Sequence, residues 1–303
     1  MKARIPGSGR TKPGPDSGAV DDDGWTPSII EQERRAYRAG RTRRSALIAA
    51  GSTVVLIGAV LALVLTSSGW PRFRRTFLDL GYGWEVLPQI LNGLWLNVRL
   101  MVVCEIAILI LALTVSWVRT LRGPVYFPLR AAATVYTDVF RGLPLILVLF
   151  ILGFGMPSLR IGWLPNSALF WGCTALVLTY GAYVSEVLRS GIESVHPSQR
   201  AAARSLGLSH SRTMRHVVVP QAVRRVIPPL LNDMVALQKD TGLISVLGVV
   251  YDAVLRAQIE TSQTYNYTPY VVAGLLFVLL TVPMTRLTDY VSRRQGWIGA
   301  GTV

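Results

Sequence analysis

Arg99, Glu105, Glu186, Lys239 and Asp240 stand inside stretches that are otherwise largely apolar. A charge in such a stretch is expensive in hydrocarbon, so it pairs within the protein or faces a polar path. Glu105 has Met101 one turn before it and its nearest preceding base, Arg99, six residues back. Such a lone carboxylate needs a proton, a neighbouring helix or a cationic ligand to neutralise it. Lys239-Asp240-Thr241-Gly242 reads as an interruption in a helix, which frees backbone dipoles that can hold ions or carboxylates. A simple kink at Gly242 is the alternative. Glu105, Asp240 and Thr241 are therefore candidate residues of a substrate path. Asp138 and Arg141 sit near an expected membrane boundary, and with Glu186 and Arg189 they are expected to pair with one another.

A polar, Arg-rich insertion over residues 190–229 separates two apolar stretches. Gln199 to Leu206 reads as a short helix with Ala202, Ala203 and Leu206 on one face, and Gly207 suits the left-handed position that ends it. Ser209 can cap a second helix running through Met214 and Val218 to Pro220. Two short helices about a glycine turn make a knob, and small alanines let it enter a groove. Ala201, Ala202, Ala203, Leu206, Gly207 and Pro220 are the expected docking set for a soluble partner. That points to a transport subunit driven from outside its own sequence. A helix-turn-helix DNA reader is the competing reading, but each side of the segment lies about ten residues from a membrane stretch and no third supporting helix is available. An ordinary solvated loop of this length would lack internal caps.

Other chemistry is not encoded. No G-x-x-x-x-G-K-[S/T] phosphate loop occurs, and no His or Cys cluster has metal spacing. His196, His210 and His216 all fall in the insertion and read as solvated or helix-end residues, while Cys104 and Cys173 fall in apolar stretches and read as small core residues. No cofactor is expected.

The elements that carry these residues are membrane helices. Of 303 residues, 51% are apolar and 16% charged, against about a quarter charged in soluble domains. Six spans are expected: Ala46–Thr66, Leu94–Trp117, Tyr136–Phe154, Ser167–Leu188, Leu230–Leu255 and Pro269–Val291. Trp70, Tyr82 and Trp84 lie in the connection after the first span and suit an interfacial belt. Residues 1–45 read as a disordered basic tail with a short helix near residues 29–39, its arginines resting on lipid headgroups. The net charge of +14 is concentrated in this tail, in the loop with Arg119, Arg122 and Arg130, and in the insertion. That bias is expected to place both termini, the insertion and the 292–303 tail in the cytoplasm, in a multi-pass protein of a bacterial plasma membrane. It fits membrane orientation better than nucleic-acid binding.

The insertion resembles the signature loop of ABC importer permeases, E-A-A, three residues, Gly, nine residues, Ile-x-Leu-Pro. Here it stands as Ala201, Ala202, Ala203, then Gly207, then Val217, Val219 and Pro220, with Ala201 where the family pattern has an acid. YTDVFRGLPLILVLFILGFG from Tyr136, YGAYVSEVLRSGIESV from Tyr180 and LQKDTGLISVLGV from Leu237 resemble the polar amino-acid branch. The likeness covers residues 92–291 and, within the branch, is similar to actinobacterial glutamate-type permeases. It implies an all-α membrane protein with a five-helix permease core, the 46–66 helix being an addition. It further implies a subunit that is not itself an enzyme and that translocates a polar, glutamate- or glutamine-like amino acid. The implied partners are a cytoplasmic ATPase dimer, a second permease chain (identical or related) and an external solute-binding protein.

Overall fold

The computed structural model describes residues 29–121 and 123–294. The chain divides at residue 70 into two compact units. The first holds helix α1, Ile29–Leu65, whose stretch Ser45–Leu65 is long and apolar enough to cross a membrane. Residues 29–45, expected to be mostly disordered, are the first turns of this one helix; residues 1–28 of the expected tail lie outside the described residues. Thr66 and Ser67 end the helix by turning their hydroxyls onto the carbonyls of Ala62 and Val64.

The regular elements among the described residues of the second unit are all helices. After α2, Trp70–Phe77, the longest helix, α3, runs from Leu80 to Thr120. The connection expected after the first span is thus helical. At 1.5 Å per residue α3 is about 60 Å long, roughly twice the hydrocarbon thickness. Asp79 starts it by accepting a hydrogen bond from the Tyr82 N–H. The third expected span is broken. Helix α4, Phe127–Gly142, and α5, Leu145–Phe150, belong to arms bent by 107°, and α6, Met156–Ser158, follows a π-turn at 151–155. Pro144 explains the break, because its ring drives the preceding Leu143 out of the helical region, to φ −91° and ψ 134°. Helix α7, Ala168–Glu193, contains the fourth span and is capped by Ser167.

The fifth expected span, 230–255, is not one helix. Helix α10, Val219–Asp240, is followed by a 3₁₀ segment, Thr241–Leu247, then Gly248 at φ +70°. Asp252 caps a new helix, α11, Ala253–Thr264. The break is longer than the one read at 239–242, because a 3₁₀ turn, a left-handed glycine and an aspartate cap act in succession. Helix α12, Thr268–Arg294, contains the sixth span. Among the described residues four helices are long and apolar enough to span, or five with the bent pair counted as one, so the expected count of six is not confirmed.

Leu100, Cys104, Ile108 and Ala112 recur every fourth residue on α3 and meet Ala175, Leu176, Tyr180 and Val184 of α7 in the main core. A second core joins Val86 and Ile90 of α3 to the small residues Ala253, Ala257 and Ala273. Small side chains let membrane helices approach closely. The extreme case is Gly93, where a Cβ would lie 2.5 Å from the Ala253 nitrogen and 2.6 Å from the Asp252 carbonyl carbon. Gly93→Ala should therefore destabilise the protein by about 1–3 kcal/mol, as overpacking does. Gly274→Ala, where a Cβ meets nothing within 4 Å, should not. Thermal unfolding in detergent compares the two; equal midpoints would contradict the close approach.

Candidate translocation path and docking knob

The break between α10 and α11 is fastened to α3 through one side chain. Asn97, fully buried, lies one turn after Gly93. Its Nδ2 donates to Asp252 Oδ2 at 3.1 Å and lies 3.3 Å from Thr241 Oγ1; its Oδ1 accepts the Ala253 N–H at 3.1 Å. Asp252 Oδ1 accepts the Leu255 N–H at 2.8 Å. The Thr241 hydroxyl donates to the Gln238 carbonyl at 2.7 Å. Both ends of the irregular segment are thereby held at one point, and the Ala253 and Leu255 N–H groups after the break find side-chain partners. Thr241, expected on a path, is fully enclosed and holds the break instead.

Asp240 behaves differently. It is half-buried at the last turn of α10, and the Tyr180 hydroxyl of α7 donates to its Oδ2 at 2.7 Å. Asp233 lies seven residues earlier on the same helix, hence on the same face. Glu105 of α3 is half-buried and within electrostatic reach of Asp233, and both act on the Tyr180 phenol. Asp233 Oδ2 is buried without a hydrogen-bond partner. The structure thus brings Glu105 and Asp240 together with two residues that sequence reasoning missed, Asp233 and Tyr180. Spacing was the available signal for Asp233; for Tyr180 there was none, since a tyrosine on an apolar helix reads as core. The basic residues nearest in sequence, Arg99 and Lys239, are both exposed. Carboxylates from two helices thus lie near a phenol from a third, with no paired base among the described residues.

At its other end α10 carries the knob. Helix α8, Pro197–Ser205, is capped by His196 and has proline at its first position. It ends in a Schellman motif: the Leu208 N–H reaches Ala203 O at 3.2 Å, the Gly207 N–H reaches Arg204 O at 3.0 Å, and Gly207 sits at φ +80°. Ser209 caps α9, His210–Thr213, and a π-turn over residues 214–218 leads straight into α10. Ala201, Ala202, Gly207 and Pro220 are exposed, and Leu206 is 84% exposed. Ala203, expected on the same outward face, is buried. It points back into the knob, because only one side of so short a helix can face out. The knob is pinned at its base. Arg200 donates to Ile192 O, Arg225 donates to Ser194 O, and Val195, Val218 and Ala222 form a small core. Between Ser194 and Asn232 there are six arginines and no acidic residue.

Below the knob, Glu186 takes Arg119 of α3 at 2.9 Å and Arg189 of its own helix, and Arg189 also reaches Glu193. The expected pairing of Glu186 with Arg189 is present. Asp138 and Arg141 make no ion pair among the described residues, contrary to expectation; the Arg141 guanidinium instead lies 5.9 Å from the Tyr183 ring centre.

Residues 125–297 match the family of binding-protein-dependent transport system inner membrane components. The arginine transport system permease protein ArtQ of Bacillus subtilis is 35% identical over 210 residues, covering 69% of this chain and 93% of ArtQ. The probable glutamine ABC transporter permease protein GlnM of the same organism is 34% identical over 180 residues, covering 58% of this chain and 81% of GlnM. The crystal structure of an amino acid ABC transporter with histidines superposes with a TM-score of 0.65 at 29% identity, covering 72% of this chain and 98% of that one. The chain belongs to this family: it is a membrane permease subunit of an ABC importer, a transport component rather than an enzyme. Nothing in these likenesses supports the DNA-reading alternative.

The left-handed Gly207 has open space around it, so a side chain there meets strain and not a clash. Gly207→Val should leave the protein in the membrane yet abolish coupled transport or assembly with an ATPase. Normal uptake by a well-expressed variant would count against docking.

Proposed function

We propose that this chain is the membrane-spanning subunit through which an ATP-driven importer passes an amino acid by alternating access. In this reading a solute-binding protein delivers the substrate from outside, a second permease chain completes the path, and a cytoplasmic ATPase dimer grips the knob. Both chain termini and the knob lie in the cytoplasm of a bacterial cell. The observation that carries the reading is α10, a single 22-residue helix with the exposed knob at one end and Asp233, Asp240 and the Asn97-held break at the other. A push on the knob therefore moves the carboxylates. ArtQ and GlnM are named for arginine and glutamine. Glu105, Asp233 and Asp240, with no paired base among the described residues, favour an amino acid of net positive charge over a glutamate-like one.

Uptake and ATP hydrolysis by the assembled complex, with a panel of amino acids, test the proposal. Arginine or lysine should stimulate hydrolysis more than glutamate; stimulation by glutamate alone would oppose the cation reading. Glu105→Gln should lower uptake per assembled complex while basal hydrolysis is unchanged. An unaltered per-complex rate removes Glu105 from the path. For orientation, a reporter active only in the cytoplasm should work when fused after Val303 or near Ser209 and fail near Gly81; activity near Gly81 would invert the topology.

A further inference from the structure

A cleft of about 240 Å³ opens at the foot of the knob. Arg119 of α3, Arg189 of α7, Arg200 of α8 and His210 of α9 line it, over the apolar side chains of Ile192 and Met214. Helices α3 and α7 are both long and apolar enough to span, and the cleft sits at their last turns, where lipid headgroups lie. Ala201, Ala202, Leu206 and Gly207, which the knob exposes, are not part of the lining. The charges around the cleft do not balance. Glu186 takes Arg119 and Arg189, and Arg189 also takes Glu193. Arg200 makes no ion pair among the described residues, so three guanidinium groups face two carboxylates.

Donors are also left over. A guanidinium carries five N–H groups in a planar fork. Arg119 engages Glu186 through one terminal nitrogen. Arg200 donates from one terminal nitrogen to Ile192 O, and its buried Nε has no hydrogen-bond partner. Unmatched positive charge and forked donors from separate helices are what a phosphate group needs. We infer that this cleft binds a phosphate group, carried by an anionic phospholipid of the adjoining leaflet or by a soluble phosphate. The cleft is smaller than the roughly 300 Å³ at which pockets for larger ligands begin, so it takes one headgroup or one small anion. A phosphate held there accepts hydrogen bonds from the spanning helices on one side and from the knob on the other. It thereby braces the foot of the knob, where Arg200 reaches α7 through a single carbonyl.

The test is thermal unfolding of the full chain in a neutral detergent, with no substrate or ATPase, so its outcome is separate from that of the uptake assays. The chain is titrated with short-chain phosphatidylglycerol, with short-chain phosphatidylcholine and with inorganic phosphate, all at constant ionic strength. A ligand that binds only the folded state raises the midpoint until its site is full. A saturable rise with phosphatidylglycerol and none with phosphatidylcholine supports the site and assigns it to lipid. A saturable rise with inorganic phosphate that chloride does not reproduce supports the site and assigns it to a soluble phosphate. Arg200→Lys keeps the charge but loses the fork, and should raise the half-saturating concentration several-fold. Thr120→Trp places a large side chain at the cleft without removing a charge, and should do the same. It keeps the test decisive if Arg200→Lys fails to accumulate. Arg75→Gln, on α2 before the other end of α3, should leave half-saturation unchanged. No saturable rise with either phosphatidylglycerol or inorganic phosphate would overturn the inference. So would an equal rise with phosphatidylcholine, or parent-level half-saturation in Thr120→Trp and Arg200→Lys.

Discussion

The second unit of this molecule depends on the buried amide of Asn97. A membrane helix that stops at Asp240 and restarts at Ala253 frees backbone groups which hydrocarbon cannot satisfy. Asn97 resolves this from outside the broken segment by accepting the Ala253 N–H and donating to Asp252, beside the Thr241 hydroxyl. It can do so because Gly93, one turn away, has no Cβ to hold the two backbones apart. Removing a partner from such a group exposes the full desolvation penalty of what remains, about 1–3 kcal/mol for a neutral group and more for Asp252.

That fastening gives α10 a fixed far end. Its near end is fixed differently, by guanidinium groups of Arg200 and Arg225 on the last carbonyls around α7 and by the small core of Val195, Val218 and Ala222. Between the two ends lie Asp233 and Asp240, the latter held by Tyr180. One helix, with Pro228 and Pro229 inside it, thus joins the knob to these carboxylates. The knob's Schellman turn fixes the direction in which Leu206 projects.

The parts legible in the sequence were those whose signal is local. Long apolar runs gave the first, second, fourth and sixth spans to within a few residues, apart from the early start of α3. The Gly207 turn and the Ser209 cap were readable from residue type alone. The third span was misread as continuous because hydropathy averages over a break, and the fifth, read as interrupted at 239–242, breaks over a longer segment. Pro144 and Gly248 mark those breaks, but both also occur in kinked helices that continue. Ala203 was placed outward because a nine-residue helix gives too little periodicity to tell its faces apart. Asn97 left no trace as a keystone: one amide in an apolar helix does not say what it meets, and its partners lie 144 to 156 residues away. Tyr180 was missed because a tyrosine on an apolar helix reads as core, and Asp233 although its seven-residue spacing from Asp240 was a signal. Thr241 was assigned to a path because the sequence shows a break without showing which side of it is covered.

If the Asn97 fastening makes α10 a transmitter between knob and carboxylates, ATP hydrolysis by the assembled complex of an Asn97→Leu variant, measured with and without substrate-loaded binding protein, shows it most directly. The Asn97→Leu complex should still assemble and hydrolyse ATP at its basal rate, with a lowered unfolding temperature and without stimulation by substrate. Full stimulation in an assembled Asn97→Leu complex would rule the transmitter role out.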